Sequence, residues 1–156
     1  SLDLAADCLA QLDVVVASIH AHYTQDATQT TERILKALDC PRVDIVGHPL
    51  SRRLLQREPL KMNFEQVVSA AVARGVAFEI NSQPDRLDLS DSLARSAHER
   101  GAMLVISTDA HSVVALGNVR WGIQVARRAW LTPEAVVNTR ELDEMRALLR
   151  RNRRAA

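Results

Sequence analysis

The sequence predicts an α/β fold: part of a β/α barrel of parallel strands, with polar side chains gathered at one rim. Three observations carry this. Four short runs, residues 14–20 (VVVASIH), 43–48 (VDIVGH), 76–81 (VAFEIN) and 103–111 (MLVISTDAH), each end in a side chain able to hold a metal. The runs are apolar on both parities, as parallel strands covered on both faces require. Their starts, at 14, 43, 76 and 103, lie 29, 33 and 27 residues apart, close to the roughly 31 residues of one strand–helix unit in an eight-unit barrel. At that rate 156 residues supply about half a barrel, and residues 1–156 form one portion of a single domain. An open doubly wound sheet lacks support, because no Gly-rich phosphate turn follows any strand.

Between the strands the apolar spacing becomes helical. Residues 28–38 place Ile34, Leu35 and Leu38 on one stripe. Residues 64–75 form a helix that stops at Gly75. Ser90 or Asp91 caps the next helix, which runs to Gly101. Residues 112–130 read as mostly helical, with Trp121 and Trp130 as packing residues. Pro133 falls in a first helical turn. Residues 141–151 form a closing helix with Leu142, Met145, Leu148 and Leu149 on one side. The arginine-rich stretch 146–154 reads as a solvated face.

Composition narrows the function classes. A net charge of +1 gives no global basic field, so any contact with nucleic acid must come from a local patch. Cys8 and Cys40 form no metal or redox motif and read as small buried hydrophobes in a reducing, cytoplasmic setting. No run approaches the roughly 20 apolar residues of a membrane span, and no signal peptide is read. The start at Ser1 without methionine reads as the middle of a longer chain.

His20 and His48 stand at the ends of the first two strands, where two neutral imidazoles can share one divalent ion. The bland reading of either is a structural hydrogen bonder. Gly47 gives room for close approach, and Pro49 stops the strand. Asp109 and His111 can face the same rim and serve adjacent ions, a carboxylate–imidazole pair that suits Mn2+, Zn2+ or Fe2+ rather than Ca2+. Alternatively Asp109 caps the following helix. Glu79 either orients a ligand or belongs to a buried salt bridge, and Asn81, on the same face, bonds a ligand or a substrate phosphate. No side chain is named as a catalytic group; a metal-bound water would take that role if an ion is held. His22 reads as a loop residue and His98 as solvated. Arg52, Arg53 and Arg57 follow His48, and Arg86 follows the third strand. They clamp phosphate oxygens or form surface ion pairs with Glu58 and Asp85.

These motifs resemble a known family. The segments ASIH (17–20), VDIVGHP (43–49), EINSQPDRLDL (79–89) and STDAH (107–111) are similar to the later motifs of the polymerase-and-histidinol-phosphatase (PHP) domain. They are most like the version at the carboxyl end of bacterial family X DNA polymerases. WGIQVARRAW (121–130) and VNT (137–139) add to the likeness, which covers nearly the whole chain. The resemblance implies a distorted, TIM-like seven-stranded β/α barrel, a three-metal cluster, and Mn2+- or Zn2+-dependent 3′–5′ exonuclease or phosphodiesterase activity on DNA ends in DNA repair. By motif, His20 and His48 would bind one ion, Asp109 a second and His111 a third. The family's opening His-x-His motif, its next Asp and His ligands and its bridging Glu would lie before Ser1, so the N-terminal strands are expected to be missing. An N-terminal polymerase region is expected in cis. The glycine-rich basic loop after Gly-His-Pro is changed to LSRRLLQR (50–57). The 156 residues alone are therefore expected to be inactive, to self-associate through open edges and apolar faces, and to bind at most one ion well. The competing enzymatic reading is a stand-alone phosphatase for a small monoester such as histidinol phosphate. A non-enzymatic binding module is the third.

Overall fold

A computed structural model describes residues 2–149. The elements follow the predicted alternation. They are α1 (Ala6–Ala10), β1 (Val16–Ala17), α2 (Ala27–Leu38), β2 (Ile45–Val46), α3 (Phe64–Arg74), β3 (Ala77–Asn81), α4 (Asp91–Glu99), β4 (Leu104–Ser107), α5 (Val119–Arg128) and α6 (Leu142–Leu149). Short 3-10 turns occupy Val114–Asn118, Pro133–Ala135 and Val137–Thr139. The four strands form one parallel sheet in the order β1-β2-β3-β4, as an α/β partial barrel requires. Among the described residues, no helix is long and apolar enough to cross a membrane.

Local chemistry explains the helix ends. Asp26 and Gln29 form a reciprocal capping box on α2. Asn63 caps α3, which ends at Gly75 in the left-handed conformation that only glycine adopts cheaply. Ser90, rather than Asp91, caps α4 through its hydroxyl oxygen.

The two faces of the sheet have different roles. Val46, Phe78, Ile80, Leu104 and Ile106 pack into the main core with Leu38, Val67, Val68 and Val125 from the helices. Alternate residues point the other way. On that second face Ile45, Ala77 and Val105 pack with Val137 and Leu149. Further along the same parity stand Gly47, Glu79, Asn81 and Ser107, so this face turns from apolar to polar at the carboxyl ends of the strands. At β1 the face is uncovered: Val16 is 52% exposed.

Several expectations need correction. β1 and β2 pair over only two residues each, because the chain leaves the extended conformation early; His48 has φ 25°. His20 and His48 therefore lie just beyond their strands. The predicted helix over 112–130 is broken into a 3-10 turn and α5. Trp130 falls past the helix with φ 60°, and both tryptophans lie on the surface rather than in the packing. Cys8 is exposed, not buried. The expected closing helix is described as far as Leu149; residues 150 and 151, and most of the arginine-rich stretch 146–154, lie outside the described residues.

Candidate metal centre

His20 is exposed on the bend after β1, and His48 is buried after β2. Their Nε2 atoms lie 3.2 Å apart, with tilted rings whose centroids are 5.1 Å apart. Two nitrogens bound at about 2.0–2.1 Å to one tetrahedral ion stand roughly 3.3 Å apart, so the pair fits a shared ion. The second ring nitrogen of His48 is also accounted for. The Ser51 hydroxyl donates to the Ile19 carbonyl at 2.9 Å and sits 3.3 Å from His48 Nδ1. With its proton directed to Ile19, Ser51 accepts from Nδ1–H, which leaves the lone pair on Nε2. Burial first, then the nearby Arg86 charge, lowers the His48 pKa from 6.5 to about 4. At neutral pH it is an unprotonated imidazole, the form a metal requires.

Glu79 lies at the junction between this pair and Asp109. Its buried carboxylate accepts from the His48 backbone N–H, from the Ser107 hydroxyl and from Asn81 Nδ2 at 3.4 Å. Burial raises its pKa, and these hydrogen bonds oppose the rise. Among the described residues it forms no salt bridge. Asn81 Nδ2 also reaches Asp109 Oδ2 at 3.2 Å, and Gln83 Nε2 donates to the Asp109 carbonyl at 2.9 Å. Asp109 is not the helix cap; the Ser112 hydroxyl accepts from Ala115 N–H instead. His111, exposed, places Nδ1 2.8 Å from the Asp109 carbonyl, so Nδ1 donates and Nε2 keeps its lone pair. His48 and Asp109 both have positive φ, 25° and 48°, a conformation costly for residues with side chains.

The four arginines take different positions. Arg52 donates to the carbonyls of Arg86, at 2.8 Å, and Leu87. Arg53 pairs with Asp85 at 2.5 Å, as the surface ion-pair reading has it. Arg57 donates to the Ser51 carbonyl at 2.8 Å and lies 3.8 Å over the Tyr23 ring. With Leu54 N–H bonded to the Asp85 carbonyl at 2.6 Å and Leu50 N–H to Asp88 at 3.0 Å, these contacts staple the loop after β2 to the loop after β3. Arg86 differs. It faces Asp109 Oδ2 at 3.6 Å with its side chain 17% exposed, and its Nη1 is buried with no hydrogen-bond partner.

The structure thus joins His20 to His48, and joins Glu79, Asn81, Asp109 and Arg86 in one continuous network. His111 stands at its outer edge. Among the described residues no three His, Cys, Asp or Glu side chains are gathered tightly enough to hold an ion by themselves. Ser51 and Ser107 were not legible in the sequence as site residues. Nothing distinguishes them there beyond the three-residue step from His48 and a place inside the fourth run.

No family model matches the chain. The DNA polymerase/3′-5′ exonuclease PolX of Bacillus subtilis (strain 168) is 36% identical over 152 residues, 97% of the chain and 27% of that protein. The chain is similar to the PolX-type branch of the PHP family. A probable phosphatase of Thermoanaerobacter sp. (strain X514) is 30% identical over 149 residues, 89% of the chain and 58% of that protein. One from Shewanella sp. (strain ANA-3) is 32% identical over 124 residues, 74% of the chain and 47% of that protein. The PHP-like chain therefore spans about a quarter of the polymerase relative and about half of the phosphatases.

Proposed function

We propose that the chain is the carboxyl-terminal portion of a TIM-like PHP barrel acting as a metal-dependent phosphodiesterase, which trims DNA 3′ ends as part of a family X DNA polymerase in repair. The observation that carries this is the His20–His48 pair, with its Nε2 atoms 3.2 Å apart and the His48 tautomer set by Ser51, in a chain similar to PolX. His20 and His48 would hold one ion. Asp109 and His111 would contribute to two others, completed by ligands that the family carries on earlier strands. Bound Mn2+ or Zn2+ supplies a more acidic water and positive charge for the phosphoryl oxygens. Glu79 fixes the His48 backbone, and Asn81 fixes the Asp109 carboxylate. Arg86, whose Nε faces Asp109, binds a non-bridging phosphate oxygen and offsets charge developing on it. Arg52, Arg53 and Arg57 shape the loops that flank the DNA backbone.

In the chain alone, one ion per molecule is expected, lost in His20→Ala and in His48→Ala and retained in His111→Ala, as measured by calorimetry with Mn2+ and Zn2+. Joined to an amino-terminal PHP segment, the chain should shorten a 5′-labelled single strand from its 3′ end with Mn2+, and His48→Ala should not. Absence of shortening with all three ions bound would overturn the assignment. The second reading, a phosphatase for small monoesters, is favoured by the 30% identity to a probable phosphatase. Faster hydrolysis of histidinol phosphate than of the oligonucleotide would select it.

A further inference from the structure

The exposed tryptophan on α5 belongs to a surface that continues from the metal centre. Residues 110–133 hold three arginines and no Asp or Glu. In the fold this stretch leaves the rim directly after Asp109. Asn118 Nδ2 donates to Gln83 Oε1 at 3.2 Å, and Gln83 in turn donates to the Asp109 carbonyl. Gly122 packs so closely on Ser82 and Ile106 that a Cβ would come 2.6 Å from Ile106 Cγ2, which seats the start of α5 against the strand ends. On the outer side Val113 and Val114 are 84% and 88% exposed, and Trp121 is 41% exposed. The Arg120 guanidinium lies 4.8 Å from the centre of the Trp121 ring. Arg120 and Arg127 are exposed and form no ion pair among the described residues.

We infer that this face, centred on Arg120, Trp121 and Arg127, is a track for single-stranded DNA entering the metal centre, with Trp121 as a base-stacking platform. The inference rests on the reading of DNA as substrate and adds where the strand lies. Charge selects the occupant. Arg128 is paired with Asp91, but Arg120 and Arg127, held in no ion pair among the described residues, attract a phosphate backbone, and an aromatic ring backed by a guanidinium stacks on any base. A strand whose terminal phosphate sits at Asp109 and Arg86 must leave the rim over some neighbouring surface, and this one adjoins Asp109 through Gln83 and Asn118.

The chain has two tryptophans, so Trp130→Phe leaves Trp121 as the sole reporter. A twelve-residue oligothymidylate added to Trp130→Phe in EDTA should quench its fluorescence, with affinity falling steeply as salt rises. The double variant Arg120→Ala/Arg127→Ala should bind about tenfold more weakly with an unchanged circular dichroism spectrum. No quenching, or quenching that follows protein concentration and not oligonucleotide, would overturn the inference; the latter would assign the face to a second copy of the chain. Because EDTA removes metal, the two readings fail separately. Quenching without Mn2+ binding at His20 and His48 sinks the metal assignment, and Mn2+ binding without quenching sinks the DNA track.

Discussion

Three donors surround the buried Glu79 carboxyl and oppose the pKa rise that burial imposes on it, which makes it a sensitive point at the residue scale. Its burial disfavours charge, while His48 N–H, Ser107 and Asn81 favour it. Glu79→Gln keeps the shape and replaces one acceptor with a donor, which must then face another donor. Positioning partners of metal ligands typically contribute 10- to 100-fold in affinity. The expected outcome is a loss of roughly that size in Mn2+ or Zn2+ affinity at the His20–His48 pair, with no change in stoichiometry. Competition against a chromophoric chelator measures it, and an unchanged affinity would show that Glu79 does not position His48. The candidate ligands could be nominated from the sequence because each stands at or near the end of an apolar run. The positive φ of His48 and Asp109 could not, since nothing in the local sequence demands it and the cost is borne by tertiary contacts.

At the scale of elements, Gly47 and the two stapled loops set the site. A Cβ on Gly47 would lie 2.7 Å from Val16 Cγ1, and one on Gly122 would lie 2.6 Å from Ile106 Cγ2. Each Gly→Ala change should cost on the order of 1–3 kcal/mol by overpacking, seen as a lower melting temperature. Only Gly47→Ala, which wedges β1 from β2, should also weaken metal binding at the His20–His48 pair. Equal metal affinity in the two variants would refute that link. Asp88, which joins the loops by accepting from Leu50 N–H, has its pKa raised from 3.8 to about 7, chiefly by burial. Between those values the folded chain holds more protons than the unfolded one, so this group's contribution to stability is present below about pH 4 and is lost as pH rises towards 7. Asp88→Asn should therefore gain melting temperature relative to the parent as pH rises, with the largest difference near pH 8. Thermal melts across that range check it, and a difference that shrinks with pH would reverse the assignment. The α/β alternation and the start of α3 were legible from periodicity, and the start of α4 from its cap. The break before α5 was signalled by Gly117-Asn118, but the apolar spacing on either side masked it. The stapling of the loops came from residues 31 to 38 positions apart, which periodicity cannot register.

At the scale of the whole molecule, the inner face of the sheet is finished at one end and open at the other. α6 covers Ile45, Ala77 and Val105, whereas Val16 on β1 is exposed beside a cavity of about 370 Å3 lined by Leu4, Leu12 and Ile34. Exposed apolar strand faces and unpaired edges favour association. The chain alone should therefore show concentration-dependent self-association in sedimentation, reduced by Val16→Lys. A monodisperse monomer at all concentrations would contradict this.

The opposite border of the sheet has a consequence for how far such association runs. There the Asn138 side-chain amide accepts from Ile106 N–H at 3.0 Å and donates to the Ile106 carbonyl at 2.7 Å, and Val136 bridges to Leu104. A side chain has taken the seat of a fifth strand. Growth by strand addition is thus blocked on that flank, so pairing through β1 consumes the one receptive sheet border among the described residues and halts at two, a closed couple in place of a fibre.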